Sequence, residues 1–173
     1  MLNIVLQLWG GIFYFLNKIF LAFGEKSKNK NMVKSLKISG WSVYLIGLPA
    51  WLWILLSKND FIVASIEAGG IMSMILGLIS AIKGKENIKP WLSQVAKIMT
   101  YLMLVFGIIA SLYIFNGISE LSQILELGVT VGFLLGTYNL AKENSSGWLW
   151  FGLMNASNAA LMGIQDNHYL LAQ

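Results

Sequence analysis

Residues 24–57, GEKSKNKNMVKSLKISGWSVYLIGLPAWLWILLS, decide the fold, because five lysines are followed by an uncharged, mostly apolar run at 38–57. A run of about 20 such residues is long enough to cross a bilayer as a helix. Comparable runs occupy residues 2–23, 61–82, 94–115, 147–164 and a segment that starts near 119, and residues 168–173 look like the start of another. We therefore predict an all-α integral membrane protein with about seven transmembrane helices, the seventh incomplete.

The composition limits the chemistry. Hydrophobic residues make up 57% of the 173 residues and charged residues 12%, whereas a soluble domain has about 25% charged residues. Cysteine is absent and His168 is the single histidine, which excludes disulfides, thiolate nucleophiles and cysteine-based metal sites. The net charge of +4 comes from lysine without arginine, so nucleic acid is not an expected partner. We expect a protein that is not an enzyme and binds no cofactor. Membrane lipid is expected to surround it.

The lysines are distributed unevenly between the loops. Loops after the first, third and fifth predicted helices hold 5, 4 and 1 lysines, whereas the other loops hold only Lys58. The positive-inside rule then places the lysine-rich loops in the cytoplasm and the N-terminus outside, as in a multi-pass protein of the inner or plasma membrane. Lys18 lies within the first helix, and we expect its side chain to snorkel to the lipid headgroups.

A weak internal repeat predicts how the helices are grouped. An offset of 107 residues aligns Ser39-Gly40-Trp41 with Ser146-Gly147-Trp148. Both segments begin helices that run from the inside to the outside, so the two copies would be parallel. The prediction is two parallel three-helix bundles, at residues 1–83 and 118–173, joined by a linker loop and a fourth helix at 84–117.

A resemblance to a known family rests on residues 142–173, KENSSGWLWFGLMNASNAALMGIQDNHYLLAQ. The tryptophans Trp148 and Trp150 at the start of a helix, the intramembrane amides Asn155 and Asn158, and the polar turn that follows resemble the PnuC-type vitamin transporters, whose halves are SWEET-like three-helix bundles. The resemblance implies facilitated uptake of nicotinamide riboside or a related vitamin precursor, driven by later phosphorylation in the cytoplasm, and a homotrimer. A seventh helix that ends after about six residues departs from the family.

The predicted solute site combines aromatic rings with amides. Its members are Trp148, Phe151, Asn155 and Asn158, spaced three and four residues apart on one helix face, together with Tyr44 and Trp51 on the second span. Rings stack on a planar heterocycle, and amides bond to its hydroxyl or carboxamide groups. The alternative interpretation is that the amides only join neighbouring helices.

Two further residues belong to this predicted site. Glu67 lies about 10 Å inside the membrane by helical rise, and an intramembrane carboxylate is a functional candidate. A small residue at every fourth position permits close helix contact and would turn Glu67 inward; these residues are Ser65, Gly69, Ser73 and Gly77. Gln173 matches Ile66 by the repeat offset and would lie beside Glu67. Glu126 is also intramembrane, but a shift of one turn makes it interfacial.

Three functions remain open at this stage. The first is a facilitator for a small vitamin or nucleoside-like solute at the membrane midplane. The second is a sugar-type SWEET-like facilitator, because sugars also use amides and tryptophan faces. The third is a scaffold or accessory protein that transports nothing. The identity of the solute, ion coupling and the oligomeric state do not follow from the residues.

Overall fold

The computed structural model describes residues 2–58 and 60–164, and this part of the chain contains helices and no strand. The helices are α1 (Leu2–Lys26), α2 (Lys30–Ser57), α3 (Phe61–Gly69), α4 (Ile71–Lys83), α5 (Pro90–Ile114), α6 (Leu121–Ala141) and α7 (Gly147–Ile164). This confirms the all-helical class. The expected start of a seventh transmembrane helix falls at 168–173, outside the described residues.

Five helical segments within these ranges are long and apolar enough to cross a bilayer: α1, α2, α3 with α4 taken together, α5 and α6. On α5, a stripe of exposed apolar side chains faces outward, formed by Ile98, Leu102, Val105 and Ile109. Such a continuous apolar surface is unfavourable in water and suits contact with lipid. The structure thus agrees with the coarser prediction of a helical membrane protein, with five candidate spans in the described residues instead of the predicted seven. The remaining helix, α7, is 18 residues long and carries two amides.

Helix α2 begins eight residues before the predicted start at residue 38. Its N-cap is Asn29, whose Oδ1 accepts hydrogen bonds from the backbone N–H groups of Asn31 at 3.0 Å and Met32 at 3.4 Å. Such a cap satisfies donors that a helix terminus otherwise leaves unpaired. The 28-residue helix is about 42 Å long, which exceeds the hydrocarbon thickness of about 30 Å. Its lysine-bearing first turns therefore extend beyond the apolar run.

The predicted third span has a one-residue irregularity at Gly70, between α3 and α4, where the backbone stays right-handed helical with φ −70° and ψ −19°. The Gly70 N–H bonds to the Glu67 carbonyl at 3.1 Å, so the chain makes a tighter turn there. A Cβ on Gly70 would lie 2.7 Å from Cζ of Phe133 on α6, which shows why this position has no side chain. This irregularity comes one turn after Glu67.

The small-residue stripe of this span permits close packing, as the sequence predicts. Ser73 Oγ and Thr100 Oγ1 of α5 are hydrogen bonded at 3.1 Å, and both side chains are fully buried. Gly77 lies directly under the ring of Trp41 from α2. Without these small side chains, α4 could not approach α5 and α2 so closely.

The helices form two hairpins around a central group. Among the described helices, the backbone of α1 approaches only that of α2, and the backbone of α7 only that of α6; α3, α4 and α5 lie between these hairpins. The largest fully buried side chains, Met74, Leu76 and Leu134, belong to α4 and α6. No Cα of α1 lies within 8 Å of a Cα in α3 to α7. Contacts of α1 with these helices are therefore made by side chains.

Three lysine-bearing segments meet at one end of the bundle. Lys37 Nζ, near the start of α2, lies 3.3 Å from Glu143 Oε1 in the turn between α6 and α7. Ser80, near the end of α4, donates a hydrogen bond of 3.4 Å to the same oxygen. These contacts place the loops that follow α1, α4 and α6 side by side.

Candidate functional site

A polar stripe runs along one face of α1. We define the α1 stripe as Tyr14, Lys18 and Glu25, which are four and seven residues apart and therefore share a helix face. Each of the three side chains is hydrogen bonded to a helix other than α2. The stripe thus joins α1 to helices that its backbone does not approach.

Tyr14 reaches the intramembrane carboxylate. Its hydroxyl donates a hydrogen bond of 3.0 Å to Glu67 Oε2. Glu67 is half-buried, and within the described part of the chain no cation lies within ion-pair distance of it. A carboxylate in hydrocarbon is unfavourable unless something pairs with it, so one phenol is an incomplete environment for Glu67.

Aromatic rings surround this hydrogen bond. The ring centroid of Tyr14 lies 4.7 Å from that of Tyr44, edge to face, and 5.9 Å from that of Trp51. We name these four residues, Tyr14, Tyr44, Trp51 and Glu67, the Glu67 cluster. The structure thus brings together three residues of the predicted solute site, and it does so through Tyr14, which the sequence analysis did not select.

One buried polar atom of the Glu67 cluster, Nε1 of Trp51, has no hydrogen-bond partner among the described residues. Oγ1 of Thr137 on α6 is fully buried and interacts with the hydroxyl of Tyr44. Buried polar groups are nearly always paired, so each unpaired one calls for an explanation such as a bound water or ligand.

Two hydrogen bonds, which we name the α1–α7 bridges, connect the first and last described helices. Lys18 Nζ donates to Asn155 Oδ1 at 2.9 Å, and Trp148 Nε1 donates to Glu25 Oε2 at 2.6 Å. Along α1, Lys18 comes before Glu25, whereas along α7 the partner of Lys18, Asn155, comes seven residues after the partner of Glu25, Trp148. Helices α1 and α7 are therefore antiparallel. Lys18 was expected to snorkel to the headgroups, but in the structure its Nζ bonds to an intramembrane amide.

The remaining predicted residues have separate environments. Phe151 is buried against α6, where a Cβ on Gly136 would lie 2.6 Å from its Cδ1. Asn158 is partly exposed. The predicted α7 face is thus divided, with Trp148 and Asn155 directed to α1 and Phe151 to α6. Gln173 lies outside the described residues, and Glu126 is exposed near the start of α6.

A cleft opens at the lysine-rich end of the bundle. Its volume is about 450 Å³, and it is lined by charged and aromatic side chains that include Glu25, Lys37, Trp41 and Glu143. Small-molecule sites typically have volumes of about 300–1,000 Å³. Because Glu25 both lines the cleft and belongs to the α1 stripe, the two features are continuous.

Sequence reasoning missed the α1 stripe although its signal was present. Lys18, flanked by Asn17 and one turn after Tyr14, makes a polar face in an otherwise apolar span. Asn17 is buried and donates a hydrogen bond of 3.0 Å to the Gly40 carbonyl, which fixes the rotation of α1 on α2. The spacing of these residues could have identified the face but not its partners.

Comparison of the chain with family models, with characterised proteins and with solved structures finds no match. The resemblance to the PnuC-type transporters stays a prediction from the sequence.

Proposed function

We propose that the protein is a membrane transporter that facilitates uptake of a small vitamin or nucleoside-like solute, of the nicotinamide riboside class. The observation that carries this proposal is the α1 stripe. Tyr14, Lys18 and Glu25 each hydrogen bond to a distant helix. Polar side chains within membrane spans are rare, and they commonly mark the route of a substrate.

The dimensions of the α1 stripe support a route through part of the membrane. From Tyr14 to Glu25 the helical rise is about 16 Å, roughly half of a hydrocarbon core of about 30 Å. The cleft of about 450 Å³ continues this line at the Glu25 end. In the proposed route, a solute enters at the cleft, passes the α1–α7 bridges and reaches the Glu67 cluster.

The groups along this line favour a planar solute that carries hydroxyls. Tyr44 and Trp51 offer ring faces or edges, and Glu67 and Asn155 offer oxygen acceptors. Rings gain from stacking on a heterocycle, and the oxygens can accept hydrogen bonds from ribose-like hydroxyls. A sugar would use the acceptors but gain less from stacking.

The orientation and grouping of the helices belong to the same proposal. The lysine-rich end faces the cytoplasm of a cell with the protein in its inner or plasma membrane, and the N-terminus lies outside. In this proposal the helices within residues 1–83 make up one bundle, α6 and α7 belong to a second, parallel bundle predicted for residues 118–173, and α5 links the two. Three copies assemble as a homotrimer, as the resemblance to the PnuC-type family implies.

One observation favours a second candidate, a scaffold without transport activity. Asn155 already has a partner in Lys18, at 2.9 Å. An amide that is satisfied by a neighbouring helix needs no solute, and interhelical hydrogen bonds of this kind stabilise membrane bundles by about 0.6 kcal/mol on average. The two candidates differ in whether substitution of the amide changes ligand binding.

The test is titration of the intrinsic tryptophan fluorescence of the purified protein with nicotinamide riboside, thiamine, riboflavin and several sugars. Riboflavin requires an inner-filter control. We expect saturable quenching by one vitamin-like ligand, since Trp51 lies within the Glu67 cluster. The quenching should be lost in Asn155→Leu and in Asn158→Leu, and kept in Ala159→Leu, which adds bulk at an exposed position of the same helix.

Uptake into proteoliposomes separates the candidates. A facilitator predicts that the two asparagine variants lose uptake of the ligand that quenches, while Ala159→Leu transports normally. Quenching and uptake that are unchanged in both asparagine variants would exclude this solute site. A folded protein whose fluorescence does not change with any of these ligands would favour the scaffold, if the asparagine variants also lose only thermal stability.

A further inference from the structure

A second pocket lies at the lysine-rich end of the bundle, where the turn after α4 meets the end of α6. Its volume is about 430 Å³. Lys85 lines it from the turn after α4, and Lys142 lines it from the end of α6. The rest of the lining includes Tyr138, Asn139, Asn144 and Ser145. We name this the lysine pocket, and it brings together two lysines that are far apart in the sequence.

The positive charge of the lysine pocket is not balanced from within. Glu143 also lines the pocket, but its carboxylate pairs with Lys37 at 3.3 Å and accepts a hydrogen bond from Ser80 at 3.4 Å. In the described part of the chain, no carboxylate lies within ion-pair distance of Lys85 or Lys142. Both ammonium groups are therefore available to an anion from outside the protein.

The Tyr138 ring supports one of these ammonium groups. Lys142 Nζ lies 5.7 Å from the ring centroid, which is within the range of a cation–π interaction. Since Tyr138 is buried, its ring is a fixed support for the lysine. Each ammonium has three donors, and the exposed Ser145 adds a hydroxyl. Donors of this kind suit the oxygens of a phosphate group.

The apolar stripe of α5 begins at the same depth as the lysine pocket. A Cβ on Gly107 of α5 would lie 3.2 Å from Cγ2 of Thr130 on the neighbouring α6. Nine residues from this contact toward the lysine-rich end lie Ile98 on α5 and Asn139 on α6. Ile98 is the first residue of the exposed stripe, and Asn139 lines the pocket. An amphiphile with its polar group in the pocket could therefore lay an apolar chain along α5.

We propose that the lysine pocket binds the phosphate headgroup of an anionic phospholipid, whose acyl chains lie along the apolar stripe of α5. Basic pockets between helices at the membrane boundary recognise such headgroups. A soluble phosphate would pair with the lysines but gain nothing from the stripe. A zwitterionic phospholipid brings its own ammonium group, which two lysines disfavour. The pocket therefore selects lipids whose headgroup has a net negative charge.

The experiment uses the purified, delipidated protein in a neutral detergent without any transported solute. Phosphatidylglycerol and phosphatidylcholine with identical acyl chains are titrated separately. Native mass spectrometry counts the lipids that stay bound, and the temperature of unfolding is followed in parallel. We expect phosphatidylglycerol to bind at lower concentration than phosphatidylcholine and to raise the unfolding temperature, because a ligand of the native state stabilises it.

Two double variants locate the binding. A lysine near the headgroups contributes about fivefold to the affinity for anionic lipid, so Lys85→Gln with Lys142→Gln should weaken phosphatidylglycerol binding about thirtyfold. Lys28→Gln with Lys34→Gln removes the same charge from exposed positions that line neither this pocket nor the cleft. This control should bind phosphatidylglycerol like the wild type.

Three results would overturn the lipid site. The first is a folded wild-type protein that binds the two lipids equally well. The second is an equal loss of phosphatidylglycerol in both double variants, which would mean attraction by net charge alone. The third is displacement of phosphatidylglycerol by an equal concentration of glycerol phosphate, which would assign the pocket to a soluble anion. Since no transported solute is present, each of these results leaves the proposed transport function standing.

Discussion

Lys18 Nζ lies 2.9 Å from Asn155 Oδ1, and this hydrogen bond joins α1 to α7 although no Cα atoms of the two helices approach within 8 Å. The second bridge, from Trp148 to Glu25, is two helical turns away. The side-chain hydrogen bonds across this boundary therefore involve four residues of the described chain.

A double-mutant cycle measures the first bridge. Lys18→Met and Asn155→Leu each remove one partner, and we expect a coupling of about 1 kcal/mol in the free energy of unfolding, within the range found for membrane hydrogen bonds. Unfolding in mixed micelles gives the four free energies. The control pair, Lys18→Met with Ala159→Leu, should be additive; coupling as large in that pair would show that the bridge is not specific.

The hydrogen bonds of the buried Gln123 side chain should contribute to the stability of the protein. It is 0% exposed, its Nε2 lies 2.8 Å from the Gly117 carbonyl and 3.2 Å from Ser111 Oγ, and its Oε1 accepts from the Ser119 N–H at 3.1 Å. Gln123→Leu leaves these groups unpaired, so the protein should lose about 2–4 kcal/mol of stability. Gln94→Leu makes the same substitution at an exposed position of α5 and should have little effect.

Denaturant unfolding in detergent compares these two glutamine variants. Equal stabilities would mean that the turn between α5 and α6 does not depend on Gln123.

Because Gly77 is in close contact with Trp41, a larger side chain at position 77 should destabilise the protein. A Cβ on Gly77 would collide with the indole ring, so Gly77→Ala should destabilise the protein by about 1–3 kcal/mol through a forced shift of α2 against α4. Gly152→Ala places the same methyl group in open space on α7 and should be neutral or stabilising, because alanine favours a helix. Thermal unfolding of both variants checks this, and a Gly77→Ala protein as stable as Gly152→Ala contradicts the close packing.

The sequence predicted the helices well and the site only in part. Apolar length and lysine position identify the spans because the bilayer imposes both, and the observed helices agree with the predicted ones to within a few residues at most ends. The need for a glycine at position 70 was not expected, since it depends on Phe133 from α6 filling the space that a side chain would occupy. Periodicity within one helix carries no information about such a neighbour.

The partners within the site show the same limit. Helix spacing correctly places Trp148 and Asn155 on a common face, but it cannot tell that this face meets Lys18 and Glu25 of α1. Tyr14 was overlooked because one tyrosine in an apolar span resembles core packing. Its role depends on the hydrogen bond to Glu67, 53 residues later in the chain.

The absence of cysteine permits a direct test of orientation. A single cysteine introduced at an exposed loop position is the only thiol in the chain, so its reaction with a membrane-impermeant maleimide reports one location. We expect Lys28→Cys and Asn144→Cys to react only after the cells are opened, because the positive-inside rule places the lysine-rich end in the cytoplasm. Lys58→Cys and Glu120→Cys, at the opposite loops, should react in intact cells, and the reverse pattern would invert the proposed direction of the route. Labelling of Lys28→Cys and Asn144→Cys from different sides would contradict the fold itself, because Lys37 and Glu143 are in contact at that end of the bundle.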